Sequence, residues 1–303
     1  MLGAIEAGGT KFVCGIGDVG GSRERVVIAT RDVATTMAEV GAFFVRAIDR
    51  HGAIHAFGVG SFGPLDLDPV SPAFGRITTT PKAGWRDADI PAWLHDRFGL
   101  PVAIDTDVNA AALAEARLHG VGQLAYVTIG TGIGVGLVTG GVTQKGYGHP
   151  EAGHIPVRRQ TRDLAFTGIC PFHGDCLEGV ASGPAITAAW GGSLAELPAD
   201  HPAWAEEAAY LGQLCAALIL MHAPERIVLG GGVMQQPALF PMIRAATLET
   251  LGGYCAHWDA RAAERRIVPP RCTEPSGLTG AYLLASNIDQ RSRASRHVED
   301  RIA

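Results

Sequence analysis

The sequence predicts an α/β protein of two domains built from a duplicated unit. Its 303 residues exceed the usual span of one hydrophobic core. A strand–glycine turn–strand pattern over residues 2–18 recurs over residues 124–141, and strands and helices follow both copies. We therefore expect a smaller domain of residues 1–119 and a larger one of residues 120–285. Residues 286–303 form a polar tail, either a helix end or disordered.

Each element of the first half has its own signal. The stretch LGAIEAGGTKFVCGIGD predicts a hairpin closed by a Gly-Gly-Thr turn, and RVVIAT predicts a third strand. Residues 37–52 show helical apolar spacing and end at a glycine. IHAFGVGSFGPL predicts a buried strand, and residues 101–120 predict a short strand running into an alanine-rich helix.

The second half repeats this order. LAYVTIGTGIGVGLVTGG again predicts two strands joined by a glycine turn. Farther on, ERIVLGGGVMQQPALFPMIRAATLETLGG predicts a strand, a glycine turn and a helix. Three comparable turns at matched places in two halves form a stronger pattern than any one turn alone.

Composition excludes several classes of protein. The net charge of −5 and the absence of a long basic stripe argue against nucleic-acid binding. No apolar run approaches the ~18–20 residues that cross a membrane, and the N-terminus lacks the pattern of a signal peptide. We therefore expect a cytoplasmic protein, in which its six cysteines do not form lasting disulfides.

The glycine turns suit a polyphosphate. Glycine allows close backbone approach, successive N–H groups bind anions, and threonine adds a hydroxyl donor. None of the turns has the Walker A pattern or a convincing dinucleotide fingerprint, and simple hairpin turns are the alternative explanation. The candidate nucleotide-binding residues are Gly8, Gly9, Thr10, Lys11, Thr131, Gly132, Gly231 and Gly232.

The stretch IDTDVNAAALAE places Asp105 and Asp107 where a strand meets a helix. One aspartate could simply cap the helix by accepting free N–H groups. Alternatively, the helix N-terminus keeps Asp107 ionised, so that it accepts a proton from an alcohol that attacks a phosphate. Asn109 would then orient Asp107 or bind the substrate.

Taken together and in this order, the motifs resemble those of the ROK family of sugar kinases over residues 3–285. They are EAGGTK, DTDVNAAALAE, TIGTGIGVG, GHPEAGH, CPFHGDCLEG and IVLGGGV. EAGGTK and CPFHGDCLEG are most similar to the fructokinase branch. The resemblance implies the actin/hexokinase/Hsp70-like fold, a duplicated ribonuclease H-like architecture with a cleft between two domains.

The resemblance also implies roles for single residues. Asp107 aligns with the catalytic base, and Glu151, His154 and Glu178 align with sugar-binding residues. Gly231 and Gly232 align with the adenosine side. Many members of the wider group carry Asp where Glu6 stands, near the metal and the phosphates. The longer side chain alters the expected contact with Mg²⁺ and is usual for the fructokinase branch.

A zinc site is expected around the motifs GHPEAGH and CPFHGDCLEG. His154, Cys170, His173 and Cys176 form a four-ligand set of two thiolates and two imidazoles, which suits tetrahedral structural Zn²⁺. The family's site resembles this set, although many members have a third cysteine where His173 stands. His149 is a competing ligand. Two free thiols beside a loop histidine are the alternative.

The function implied is phosphorylation of fructose to fructose 6-phosphate, with ATP and Mg²⁺ as cofactors. A mannokinase or glucokinase of the same family is the first alternative, and a non-catalytic sugar-binding or sensor protein is the second. A repressor of this family would need an additional DNA-binding domain before the first hairpin. The resemblance also suggests a homodimer.

Overall fold

The computed structural model describes residues 1–160 and 165–302. Backbone packing divides the chain into two units. The first contains Met1–Ala114, Val142–His149 and Cys272–Ala303, and the second contains Glu115–Gly141 and Pro150–Arg271. The first boundary lies after Ala114, close to the predicted boundary after residue 119. The predicted boundary after residue 285 differs, because the C-terminal helix packs on the first sheet and belongs to the first unit from Cys272 onwards.

The first unit contains a five-stranded mixed sheet. Its strands are β1 (Leu2–Ala7), β2 (Lys11–Asp18), β3 (Gly21–Ala29), β4 (Ala56–Ser61) and β5 (Val102–Thr106). They lie in the order β3-β2-β1-β4-β5. β1 pairs antiparallel with β2 and parallel with β4. The outer pairs continue this pattern, since β3 is antiparallel to β2 and β5 is parallel to β4.

Helices accompany this sheet. They are α1 (Val33–His51), α2 (Ile90–Phe98), the start of α3 (Asp107–His119), and the C-terminal helix, α9 (Ser276–Ile302). α1 begins before the predicted residue 37 because Asp32 caps it, accepting from the Thr35 N–H at 2.8 Å. α9 buries Leu278, Ala281 and Tyr282 against β1, β2 and β4. The predicted tail, residues 286–303, continues this helix to Ile302, and Ala303 lies outside the described residues.

The second unit repeats the strand arrangement. β6 (Gln123–Ile129) pairs antiparallel with β7 (Ile133–Thr139) and parallel with β9 (Arg226–Gly230). β10 (Ile267–Val268) then pairs parallel with β9. A two-residue strand, β8 (Val142–Thr143), groups with the first unit. Because β6 relates to its neighbours as β1 does, the predicted duplicated α/β fold is confirmed.

The helices of the second unit enclose the larger apolar core. α6 (Pro202–His222) buries Leu211, Leu214 and Leu218. It packs closely on α7 (Leu239–Leu251), where Gly212 leaves room for Ala246. Within the described residues, no helix combines the length and apolarity needed to cross a bilayer. The helices are α4 (Leu177–Ala181), α5 (Gly183–Trp190), α6 (Pro202–His222), α7 (Leu239–Leu251) and α8 (Ala260–Arg266).

Candidate active site

Asp107 is the first residue of α3, directly after β5. Its Oδ1 accepts from the Val108 N–H at 2.9 Å. A side chain on Gly60 would come within 3.3 Å of the Asp107 Cα, so glycine allows the close approach of β4. Burial raises the pKa of Asp107 to about 6, although hydrogen bonds from the backbone oppose the shift. A carboxylate with this pKa can exchange protons near neutral pH.

Glu6 on β1 is a second carboxylate with a raised pKa. Burial raises the pKa of Glu6 to about 7, and the negative charge of Asp107 adds to the shift. The Lys11 ammonium and the Leu278 N–H act in the opposite direction. Glu6 Oε2 is buried and has no hydrogen-bond partner among the described residues. An unsatisfied carboxylate oxygen is suited to a hard cation.

Asp105 organises the segment before Asp107 through a buried polar network. Its Oδ1 accepts from the Asn109 side-chain amide at 2.8 Å. Its Oδ2 accepts from Thr143 Oγ1 at 2.7 Å and from Lys145 Nζ at 2.9 Å. Asn109 is fully buried, so its observed contact orients the start of α3, and its part in substrate binding stays a prediction.

The contacts of Thr143 and Lys145 in this network were not predicted from the sequence. Thr143 ends β8 and Lys145 lies just after it, 38 and 40 residues after Asp105. The only available signal was a lone lysine followed by glycine, which is too common to be informative.

The first glycine turn brings four predicted residues together. Gly8, Gly9, Thr10 and Lys11 join β1 to β2, and the last three are exposed. The turn is closed by the Gly8 N–H, which donates to the Lys11 carbonyl at 2.9 Å. Space around Gly9 is open, with no atom within 4 Å of a side chain built there. The turn is therefore accessible to a ligand.

The second turn lies beside Glu178. Thr131 and Gly132 join β6 to β7, and Glu178 Oε2 accepts from the N–H of Ile133 at 2.9 Å. A Cβ on Gly132 would lie 2.5 Å from the same oxygen. A methyl group here would therefore displace the flexible Glu178 carboxylate from the Ile133 N–H. Glycine makes room for a carboxylate, a reason that differs from the expected approach of a phosphate.

The third turn neighbours the second. Gly231 has a φ of 91°, and a side chain there would overlap the backbone of Ile129. Gly232 is exposed and open, and its nitrogen lies 3.9 Å from where a Cβ of Gly130 would stand. The structure thus brings the predicted Thr131–Gly132 and Gly231–Gly232 turns together in the second unit.

His154, Cys170, His173 and Cys176 converge as the sequence predicted. Their ligand atoms all lie within 4.8 Å of one another. His154 Nδ1 is 3.5 Å from Cys176 Sγ and 3.7 Å from Cys170 Sγ, and Cys170 Sγ is 3.6 Å from His173 Nδ1. Tetrahedral zinc with ordinary bond lengths separates sulfur from nitrogen by about 3.6 Å. The geometry therefore fits the ion.

His149 is not part of this cluster. Its Nε2 accepts from the Leu65 N–H at 3.0 Å in the first unit. Of the two candidate histidines, the structure therefore places His154 beside the cysteines.

His154 also faces Glu178. The Nδ1 atom of its ring points to the cysteines, while Nε2 lies 3.9 Å from Glu178 Oε1. Glu151 is exposed just before the short 3-10 turn Ala152–His154, and its carbonyl accepts from the His154 N–H at 3.0 Å. Three predicted sugar-binding residues therefore lie in connected elements of the second unit.

Comparisons with known proteins identify the family of this chain and agree with its fold. A family model described as ROK family matches residues 2–288. The chain is 41% identical to a fructokinase of Zymomonas mobilis, over 94% of this chain and 96% of the relative. It is 40% identical to a fructokinase of Pediococcus pentosaceus, over 94% and 97%. A ROK hexokinase from Thermus thermophilus superposes with a TM-score of 0.76 at 28% identity, covering 96% of this chain and 99% of the hexokinase.

Proposed function

Because the chain belongs to the ROK family, we propose that it is an ATP-dependent fructokinase that forms fructose 6-phosphate. The observation that carries this proposal is its identity of 40–41% to two fructokinases over almost the whole chain. At that level of identity, the substrate of the relatives is the first one to test here.

Asp107 is the proposed general base. It accepts the proton of the sugar hydroxyl as that oxygen attacks the γ-phosphorus of ATP, while the bond to the β-phosphate oxygen breaks and ADP leaves. Its pKa of about 6 supports this role, because most molecules are then ionised at pH 7 and the group still holds a transferred proton.

Glu6 and Asp107, the two carboxylates with raised pKa in the first unit, have different roles in this proposal. Glu6 is the residue that would hold Mg²⁺, because its buried Oε2 lacks a partner among the described residues. Bound Mg²⁺ offsets the negative charge of the phosphates. Asp107 has its Oδ1 on the Val108 N–H, which orients the carboxyl group for proton transfer.

The glycine turns supply the nucleotide contacts in this proposal. Gly8, Gly9, Thr10 and Lys11 are the proposed contacts to the phosphates. Thr131, Gly132, Gly231 and Gly232 are further proposed contacts to the nucleotide. Exposed N–H groups and a lysine suit a polyanion.

Fructose would be held by Glu151, His154 and Glu178. A carboxylate accepts two hydrogen bonds from sugar hydroxyls, and His154 Nε2 is available on the side of its ring that faces Glu178. Zn²⁺ would sit on Nδ1 of the same ring, with Cys170, His173 and Cys176 completing four ligands. Four protein ligands leave no open position, so the ion would be structural and would fix the ring. Cytoplasmic location and a homodimer stay predictions.

The decisive experiment measures ADP release with fructose, mannose, glucose and N-acetylmannosamine, with and without Mg²⁺. We expect Mg²⁺-dependent turnover that is highest on fructose. Preference for another hexose would keep the kinase and replace the substrate. No turnover on any sugar by the folded protein would favour a sugar-binding or sensor protein.

A pair of variants tests the base. Asp107→Asn should lower kcat by about 10²–10⁴-fold, the usual contribution of a general base. Asp96→Asn on the exposed face of α2 is the matched control and should keep full activity. Unchanged turnover in Asp107→Asn would remove the residue from this role.

A further inference from the structure

A cavity of about 460 Å³ lies in the second unit, and three of its seven lining residues are arginines. We call it the arginine cavity. None of its residues belongs to the candidate active site, and no acidic side chain lines it. Its lining residues are His119, Arg226, Arg265, Val268, Pro269, Pro270 and Arg271.

Its three arginines are not neutralised by the protein. Arg226 Nη1 donates to the Glu225 carbonyl at 2.7 Å, and Arg265 Nε donates to the Arg261 carbonyl at 3.3 Å. Both acceptors are uncharged. Among the described residues, Arg226, Arg265 and Arg271 form no ion pair. Three positive charges around one cavity repel each other unless an anion joins them.

Two carboxylates near the cavity bind backbone groups. Glu115 Oε2 accepts from the Arg271 backbone N–H at 2.8 Å. Glu225 Oε1 accepts from the N–H groups of Gly122 and Gln123 at 3.0 and 3.2 Å. These contacts stabilise the local backbone and leave the guanidinium groups unpaired.

His119 provides a buried polar atom in the cavity wall. Its side chain is 3% exposed, and Nε2 has no hydrogen-bond partner among the described residues. The Glu115 Oε2 atom is 3.6 Å away, which is too far for a hydrogen bond. Burial lowers the pKa of His119, and the positive charges of Arg271 and Arg226 lower it further, against the opposing effect of Glu115. The surroundings of His119 are therefore electropositive.

We propose that the arginine cavity binds a small phosphomonoester. Guanidinium groups match the geometry of phosphate oxygens and bind them with charge-assisted hydrogen bonds. Val268, Pro269 and Pro270 offer an apolar wall to the carbon part of the ligand. The volume falls within the range of about 300–1,000 Å³ typical of small-molecule sites. The C-terminal end of α3 opposes an anion weakly, and three guanidinium groups outweigh it.

The test is a calorimetric titration of the full chain with glycerol 3-phosphate. Glycerol, inorganic phosphate and citrate are titrated as comparison ligands. A non-hydrolysable ATP analogue, Mg²⁺ and fructose occupy the other sites throughout. The variants Arg265→Gln and Arg271→Gln each remove one lining charge from an exposed residue. Arg261→Gln is the matched control, because Arg261 is exposed on the same helix as Arg265 but does not line the cavity.

We expect saturable binding of glycerol 3-phosphate, weaker binding of inorganic phosphate and no binding of glycerol. Each lining variant should weaken binding about tenfold, as expected for one hydrogen bond to a charged group, and Arg261→Gln should not. Absence of saturable binding overturns the proposal. Equal weakening of binding by Arg261→Gln would also overturn it, because the effect would then come from diffuse surface charge. Equal affinity for citrate would overturn it too, because the cavity would then not select a phosphomonoester. Because no turnover is measured, the result stands apart from the fructokinase proposal.

Discussion

Acidification should stop phosphoryl transfer by protonating Asp107. Burial raises the pKa of Asp107 to about 6, and only its ionised form can accept the hydroxyl proton. A group with that pKa is about nine-tenths ionised at pH 7, half ionised at pH 6 and roughly one-tenth ionised at pH 5. We therefore expect kcat/KM for fructose to fall about tenfold from pH 7 to pH 5, with its midpoint near pH 6.

The assay must separate this titration from other effects of acid. Initial rates are measured by direct chromatography of ADP, since coupling enzymes respond to pH themselves. Fructose is held below its KM, and MgATP and ionic strength are kept constant. Full activity on return to pH 7.5 excludes irreversible unfolding. The Asp96→Asn control should give the same midpoint as the wild type.

Two outcomes would refute the reasoning. A midpoint near pH 4, the ordinary value for aspartic acid, would mean that burial does not perturb Asp107. A profile that is flat from pH 5 to pH 8 would mean that Asp107 is not the base.

The remaining predictions concern stability, the sugar pocket and the metal. Asp107→Asn should raise the free energy of unfolding by about 1–2 kcal/mol at pH 8, because the raised pKa makes the ionised carboxylate unfavourable in the native state above pH 6. Urea denaturation should show no such gain near pH 3, where the carboxyl group is protonated in both the native and the unfolded state. Gly132→Ala should raise KM for fructose roughly tenfold, because the added methyl group would lie 2.5 Å from Glu178 Oε2. Gly146→Ala, whose added methyl group would have no atom within 4 Å, is the control, and an equal rise of KM in both variants would contradict the explanation. We expect elemental analysis to find zinc in the wild type and in Cys255→Ser, a variant outside the cluster, but not in Cys176→Ser, whose Tm should also be lower. Zinc retention by Cys176→Ser would exclude that ligand.

Local patterns predicted the parts of the site that depend on nearby residues. The hairpin at residues 2–18 and the strand-to-helix junction at Asp107 follow from glycine placement and apolar periodicity. The His154, Cys170, His173 and Cys176 cluster was predictable because few residue types bind zinc and all four lie within a short stretch.

Contacts between segments that lie far apart in the sequence could not be predicted from local patterns. Lys145 reaches Asp105 because the fold brings a loop back to β5, and no periodicity marks that return. The role of Gly132 was also hidden, since its need for glycine depends on Glu178 in another element. The unit to which α9 belongs could not be predicted from its polar composition, because its apolar face packs on β1, β2, β4 and β5, which lie far from it in the sequence.

The position of α9 has a consequence for the order of events during protein synthesis. The first unit includes Met1–Ala114 and the short segment Val142–His149, but its last segment begins only at Cys272. The 157 residues between Ala114 and Cys272 (272 − 114 − 1) take roughly 8–30 s to translate at about 5–20 residues per second. Until then, the apolar patch of Leu2, Ala4, Val13 and Ala56 has no partner from α9.

The N-terminal part of the first unit therefore cannot complete its folding, and the apolar patch stays uncovered, until α9 has left the ribosome. An N-terminal fragment ending at Ala114 should bind chaperones and aggregate, and adding the segment 272–302 as a separate chain should restore its solubility. All residues of the second unit precede Cys272 in the sequence, so they are synthesised before the last segment of the first unit. The part of the protein that is synthesised first is thus the part that finishes folding last.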